Sequence, residues 1–345
     1  MHIPDGYLGP QTYVALDAAI VPLWWLAGTR VKRALKAKQV PLMALAAAFS
    51  FVIMMFNVPV IGGSTGHAVG ATLIAILLGP GAAAIAVSIA LVIQALVFGD
   101  GGITAIGANC INMAIIMPFV GFYLYRLIAG DAPKAWRRIA ASGVAAYVAI
   151  VAASIAAGVE FGLQPLLNHT ASGQPLYAPY PLSVAVPTMA LEHMLFFGIV
   201  EAVVTMGIVS VLARRDSALL AMKPAAKPLR WLWAGLAGLV LLTPIGVLTP
   251  GTAWGEWGAE ELKARLGVVP SGLAKIGTGW TAAMPSYAPS FIANPLVGYL
   301  AAAVIGSVLV IGVTWLLARV LSGRGAEGDA VGADRDHGND SGPRA

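Results

Sequence analysis

GAAAIAVSIALVIQALVF, residues 81–98, contains no charged residue. A helix of that length extends about 27 Å, close to the roughly 30 Å hydrocarbon core of a bilayer. Eight further apolar stretches lie around it, at 13–29, 41–57, 68–79, 109–128, 138–158, 184–212, 231–249 and 296–318. Of the 345 residues, 58% are hydrophobic and 11% charged, and the mean hydropathy is +0.80. A soluble domain has about 25% charged residues, so this chain cannot cover a globule with charge. Composition therefore excludes a soluble enzyme, a nucleic-acid binder and a disordered protein. It predicts an all-α, polytopic membrane helix bundle. The single cysteine, Cys110, excludes a disulfide framework and a thiolate cluster. The first stretch has no basic lead-in and no small-residue cleavage site after it, unlike a signal peptide.

Basic residues set the orientation. They gather at Arg30–Lys38, Arg126–Arg138, Arg214–Arg230 and from Arg319 onward. With nine spans and the N-terminus outside, all but Lys263, Arg265 and Lys275 of the 21 basic residues fall inside. Seven spans, within 1–215, precede a basic, proline-containing cytoplasmic linker at 216–230. Two more, within 231–320, flank an outer loop at 250–295 that carries Trp254, Glu256, Trp257, Glu260 and Glu261. The Gly/Asp/Arg-rich tail, 321–345, lacks apolar periodicity and reads as disordered. It contains His337. No internal repeat is visible.

Two stretches could carry chemistry. The first is the N-terminus, Met1-His2-Ile3-Pro4-Asp5-Gly6. A free α-amine, the amide nitrogen of residue 2 and its imidazole can chelate one metal ion in a plane, and tetragonal nitrogen sites suit Ni(II) and Cu(II). The competing reading is a polar residue at a frayed terminus. The second is Gly62-Gly63-Ser64-Thr65-Gly66-His67, which follows Asn57-Val58-Pro59. The next stretch, 68–79, has 12 residues and as a helix spans only about 18 Å. His67 should therefore lie below the outer surface, where irregular backbone must be buried in protein or line a cavity. An ionisable residue there is a functional candidate. A histidine satisfied by a local carbonyl is the alternative.

His169 falls in an outer loop and should be solvated. Glu192, His193 and Glu201 share a span and are expected to form a buried polar cluster or to face a partner. Leu191-Glu192-His193-Met194 lacks the H-E-x-x-H pattern of a zinc protease. Asn109 and Asn112, which follow the turn Gly99-Asp100-Gly101-Gly102, could support a metal-bound histidine. There is no G-x-x-x-x-G-K-[ST] loop, so energy for uphill movement must come from another subunit or an ion gradient. Ala44 and Ala48 give the second span a small-residue face suited to close helix approach.

The two motifs together resemble the cobalt/nickel substrate-binding components of energy-coupling-factor transporters, the CbiM/NikM family, over residues 1 to about 215, including Leu191–Thr205. Residues 231–318 resemble the small accessory component of the same systems, fused to the first. The resemblance implies seven helices in the metal-binding part, six plus an extra N-terminal one, with the N-terminus folded into the membrane body. It implies one ion held by the Met1 amine, the His2 amide and imidazole, and His67. It also implies a coupling transmembrane subunit that meets the small-residue face of the second span, two ATPase subunits, and a location in the bacterial plasma membrane. Ni2+ or Co2+ would be the transported substrate; no catalytic residue and no resident cofactor is expected. The accessory part would act on loops around the metal site. The alternative function is a metal-binding membrane receptor or sensor without transport, which predicts a soluble signalling domain that the sequence lacks.

Overall fold

In a computed structural model the described residues are 1–60, 64–131, 134–225, 228–248, 252–277 and 279–323. Among them, eight helices are long and apolar enough to cross a membrane. They are α1 (Pro10–Ala34), α2 (Ala37–Met54), α4 (Pro80–Phe98), α5 (Ile106–Ala129), α6 (Ala135–Leu167), α7 (Leu182–Arg215), α8 (Arg230–Leu248) and α11 (Pro295–Leu321). The ninth expected stretch is a short helix, α3 (Ala71–Leu78). Two small helices, α9 (Ala259–Leu266) and α10 (Ser271–Ile276), lie in the segment read as an outer loop. Proline at the first turn starts α1 and α4, where its missing N–H costs nothing.

The short helix is set by two glycines. Gly70 and Gly79 both have positive φ, 75° and 85°, a region that only glycine enters without strain. They limit α3 to eight residues, all but the last of them buried. The chain reaches α3 through an antiparallel ribbon, β1 (Val58–Val60) with β2 (Ser64–Gly66), in register Val58↔Gly66. The irregular backbone expected before His67 is this ribbon. Gly62 and Gly63 of the motif lie outside the described residues.

α6 runs nine residues beyond its apolar stretch, because its outer turns bury polar side chains that have partners. Glu160 accepts from Asn112 Nδ2 at 2.7 Å, and Gln164 accepts from Gly9 N at 2.9 Å. The linker is anchored: Leu219 and Leu220 are buried, and Gln39 Nε2 donates to Met222 O at 3.1 Å. Residues 324–345, most of the tail read as disordered, lie outside the described residues.

α2 is enclosed by its own chain. α11 packs along it, with α4 and α8 on other sides, and Tyr299 Oη donates to Met55 O at 2.7 Å. Ala44 and Ala48 are 1% and 0% exposed. The small-residue face expected to receive a coupling subunit is thus an internal packing surface. Small residues let helices close up whether the neighbour is another protein or the same chain.

Candidate metal centre

The N-terminal nine residues are stitched into the bundle. Ile3 is paired on both sides with Asn109 of α5, its N–H donating to Oδ1 at 2.8 Å and its carbonyl accepting from Nδ2 at 3.2 Å. Gly102 N also donates to Ile3 O, at 2.8 Å. The Asp5 carboxylate accepts from Ile103 N, Thr104 N and Thr104 Oγ1 at 3.1, 2.8 and 2.6 Å. Met1 and His2 are buried, and the frayed-terminus alternative fails.

His67 meets His2 in this interior. His67 Nε2 lies 3.1 Å from His2 Nδ1, with ring centroids 4.8 Å apart. His67 Nδ1 lies 3.1 Å from Ala68 O. That carbonyl accepts a hydrogen bond from Nδ1–H and leaves the Nε2 lone pair facing His2. The backbone just past His67 is held from two helices. Glu201 of α7 accepts from Val69 N at 2.8 Å and Gly70 N at 3.0 Å, while Ser50 of α2 donates to Val69 O at 2.8 Å. The polar cluster expected of Glu192, His193 and Glu201 is therefore divided. Glu201 serves the turn behind His67, and His193 Nδ1 bonds its own helix at Met189 O, 2.8 Å away.

Two carboxylates face the two terminal residues. Glu256 Oε1 is 3.2 Å from the Met1 amine, and Asp100 Oδ1 is 3.1 Å from His2 Nδ1. Burial, and then the nearby amine, push the His2 imidazole down to about 3, so it is neutral and able to act as a ligand at physiological pH. Burial pushes Glu256 up to about 7, against the pull of the amine. Among the described residues no group of three or more His, Cys, Asp or Glu side chains is arranged to hold a metal ion. An ion at His2 and His67 would need main-chain nitrogen as well.

The outer segment roofs this site. Tyr7 Oη donates to Trp257 O at 2.6 Å, Trp254 N to Ser64 Oγ at 2.9 Å, and Met284 N to Val97 O at 2.8 Å. A cavity bounded by Asp5, Tyr7, Gly101, Glu256, Trp257 and Trp280 lies between roof and N-terminal segment. Of the residues singled out from sequence, Met1, His2 and His67 converge. Asn109 holds the N-terminal segment, and Asn112 turns to Glu160 instead. His169 is exposed, and His337 lies outside the described residues. Sequence reasoning missed the parts played by Gln94, Asp100 and Tyr287; the Gly-flanked Asp100 was the only one with a local signal.

Residues 2–219 match the model of the family described as CbiM, cobalt uptake substrate-specific transmembrane region. The chain is 48% identical over 330 residues to the fused nickel transport protein NikMN of Rhodobacter capsulatus, covering 90% of this chain and 95% of that protein. It is 46% identical over 268 residues to the probable fused nickel transport protein LarMN of Lactiplantibacillus plantarum, covering 77% and 80%. A crystal structure described as a transition metal transporter aligns with TM-score 0.59 at 50% identity, covering 64% of this chain and 96% of that one.

Proposed function

The chain belongs to the CbiM family of cobalt uptake substrate-specific transmembrane regions, and from that premise we propose that it is the substrate-capture subunit of an ATP-driven importer for nickel or cobalt. One ion is held by the Met1 amine, the amide nitrogen and Nδ1 of His2, and Nε2 of His67. The observation that carries this reading is the burial of two facing imidazoles beside the chain's own amine. Four nitrogens suit Ni(II). The carbonyl on His67 Nδ1 leaves the Nε2 lone pair available, and a neutral His2 gives Nδ1 to the ion by carrying its ring proton on Nε2 instead.

In this reading the first seven helices, residues 1–215, are the capture component. α8, the outer segment and α11, within 231–320, are an accessory part fused through the linker 216–230. The lack of a nucleotide-binding loop supports dependence on partners, namely a coupling membrane subunit and two ATPase subunits. The test is titration of Ni(II) into detergent-purified, chelator-stripped protein. Wild type should bind one equivalent, yellow and diamagnetic, with release of protons as the donors are deprotonated. His67→Ala should keep the fold and lose tight binding. Equal metal content in the two would refute the assignment of His67.

A further inference from the structure

Gln94 begins an irregular last turn of α4, Gln94–Phe98, and is fully buried. Its Nε2 donates to Tyr287 Oη at 2.9 Å and approaches Asp100 Oδ2 at 3.3 Å. Tyr287 Oη in turn donates to Asp100 Oδ2. A carboxylate only accepts, so the amide must present its NH2 to Asp100. Its carbonyl oxygen therefore points away from them. That oxygen has no hydrogen-bond partner, and neither has His2 Nε2, which is also buried. Both side chains lie against the Asp100 carboxylate, Gln94 at Oδ2 and His2 at Oδ1.

The His2 proton explains the pair. In the arrangement seen, Nδ1 faces two acceptors, Asp100 Oδ1 and His67 Nε2, so the proton of the neutral imidazole sits on Nδ1. Nε2 then holds a lone pair, and the oxygen of Gln94 is left equally without a donor. A metal ion chelated by the terminal amine and the residue-2 amide takes the imidazole through Nδ1. The ring proton must then lie on Nε2, where a buried N–H needs an acceptor.

We propose that Gln94 is a positioning residue for metal capture: its carbonyl oxygen accepts Nε2–H of His2 once Nδ1 is given to the ion, and Tyr287 of the outer segment clamps the amide in the orientation that allows it. This rests on the reading that His2 binds the ion. The clamp has a structural cost that fits a dedicated role. Tyr287 and Ser286 hold left-handed φ of 60° and 52°, unusual for a bulky residue. The Tyr287 ring stacks on Phe98, with centroids 4.9 Å apart. Burial and the Asp100 carboxylate raise its phenol well above the ordinary range, so it remains a donor.

The test compares wild type, Gln94→Leu and Tyr287→Phe with His2→Ala as control, using Ni(II) alone as the probe. Titration should show Ni(II) affinity falling about 10- to 100-fold in Gln94→Leu, as for other groups that orient metal-bound histidines, and less in Tyr287→Phe, which keeps the stacked ring. Solid-state NMR of 15N-histidine-labelled, nickel-loaded protein should show a hydrogen-bonded His2 Nε2–H in wild type, weakened in Tyr287→Phe and lacking its acceptor in Gln94→Leu. Unchanged affinity together with an unchanged Nε2–H signal in Gln94→Leu would overturn the proposal. Should His2→Ala bind nickel as tightly as wild type, the assignment of the ion to His2 fails instead, and with it the premise.

Discussion

Adding one glycine before Met1 tests the site at its first atom. The Met1 amine is buried and 3.2 Å from Glu256, so the extension turns the terminal amine into an amide and pushes new atoms under the outer segment. Two costs follow. Breaking a buried ion pair by removing one partner costs up to about 3–5 kcal/mol. Glu256 limits that loss, since burial already holds it up at about 7 with the amine present; without the amine it takes a proton. The larger effect falls on metal binding. Four-coordinate zinc in zinc-finger peptides has an apparent binding free energy of about 10–16 kcal/mol. On that scale, shared among four donors, each is worth roughly 2.5–4 kcal/mol, or about two to three powers of ten in Kd. Isothermal titration of Ni(II) into the extended protein and a reference tagged only after Ala345 should show a loss of at least that size, with unchanged helical circular dichroism. Binding within about threefold of the reference would mean that the amine is not a ligand.

Two other outcomes are expected. Acidification should release the N-terminal segment. His2 is held down at about 3 when buried, against 6.5 when free, so the released form binds a proton that the docked form does not. Docking is then fully stable above 6.5 and loses about 1.4 kcal/mol for each pH unit below it, roughly 2 kcal/mol at pH 5. Hydrogen-exchange protection of the Ile3 amide, corrected for intrinsic rate, reports this; protection that stays flat from pH 7.5 to 5 would contradict it. Vesicles containing this chain alone should not concentrate Ni(II), with or without a proton gradient. Gradient-driven accumulation would instead mark a secondary carrier.

The spans were legible because lipid demands an unbroken apolar run, and 81–98 or 184–212 satisfy that demand within the sequence itself. Even the shortness of α3 was visible, since the glycines that bracket it stand in the chain. Where helices leave that rule, hydropathy fails. The outer turns of α6 escaped because Glu160 and Gln164 look like loop residues until Asn112 and Gly9 are seen beside them. The site divides the same way. Met1, His2 and His67, the donors proposed above, were readable as candidates from their chemistry. The groups that hold them were not, because Glu201 reaches Val69 across 132 positions and Gln94 reaches Tyr287 across 193. No local pattern encodes which distant carboxylate or amide will arrive.

The outer segment shows most clearly why placement matters. Its tryptophans and glutamates could be named from composition, yet composition does not separate a solvated loop from a roof. The separation comes from which atoms it satisfies: Glu256 the terminal amine, Trp257 O the Tyr7 hydroxyl, Tyr287 the Asp100 carboxylate. Each of those partners lies on or beside the N-terminal segment. The segment cannot move away without leaving buried polar groups unpaired, at about 1–3 kcal/mol apiece. α11 is tied to the same end through Tyr299 on Met55 and through its packing along α2. Tyr287 and Tyr299, whose rings meet edge-on with centroids 5.4 Å apart, thus hold the roof to Asp100 on one side and to the end of α2 on the other.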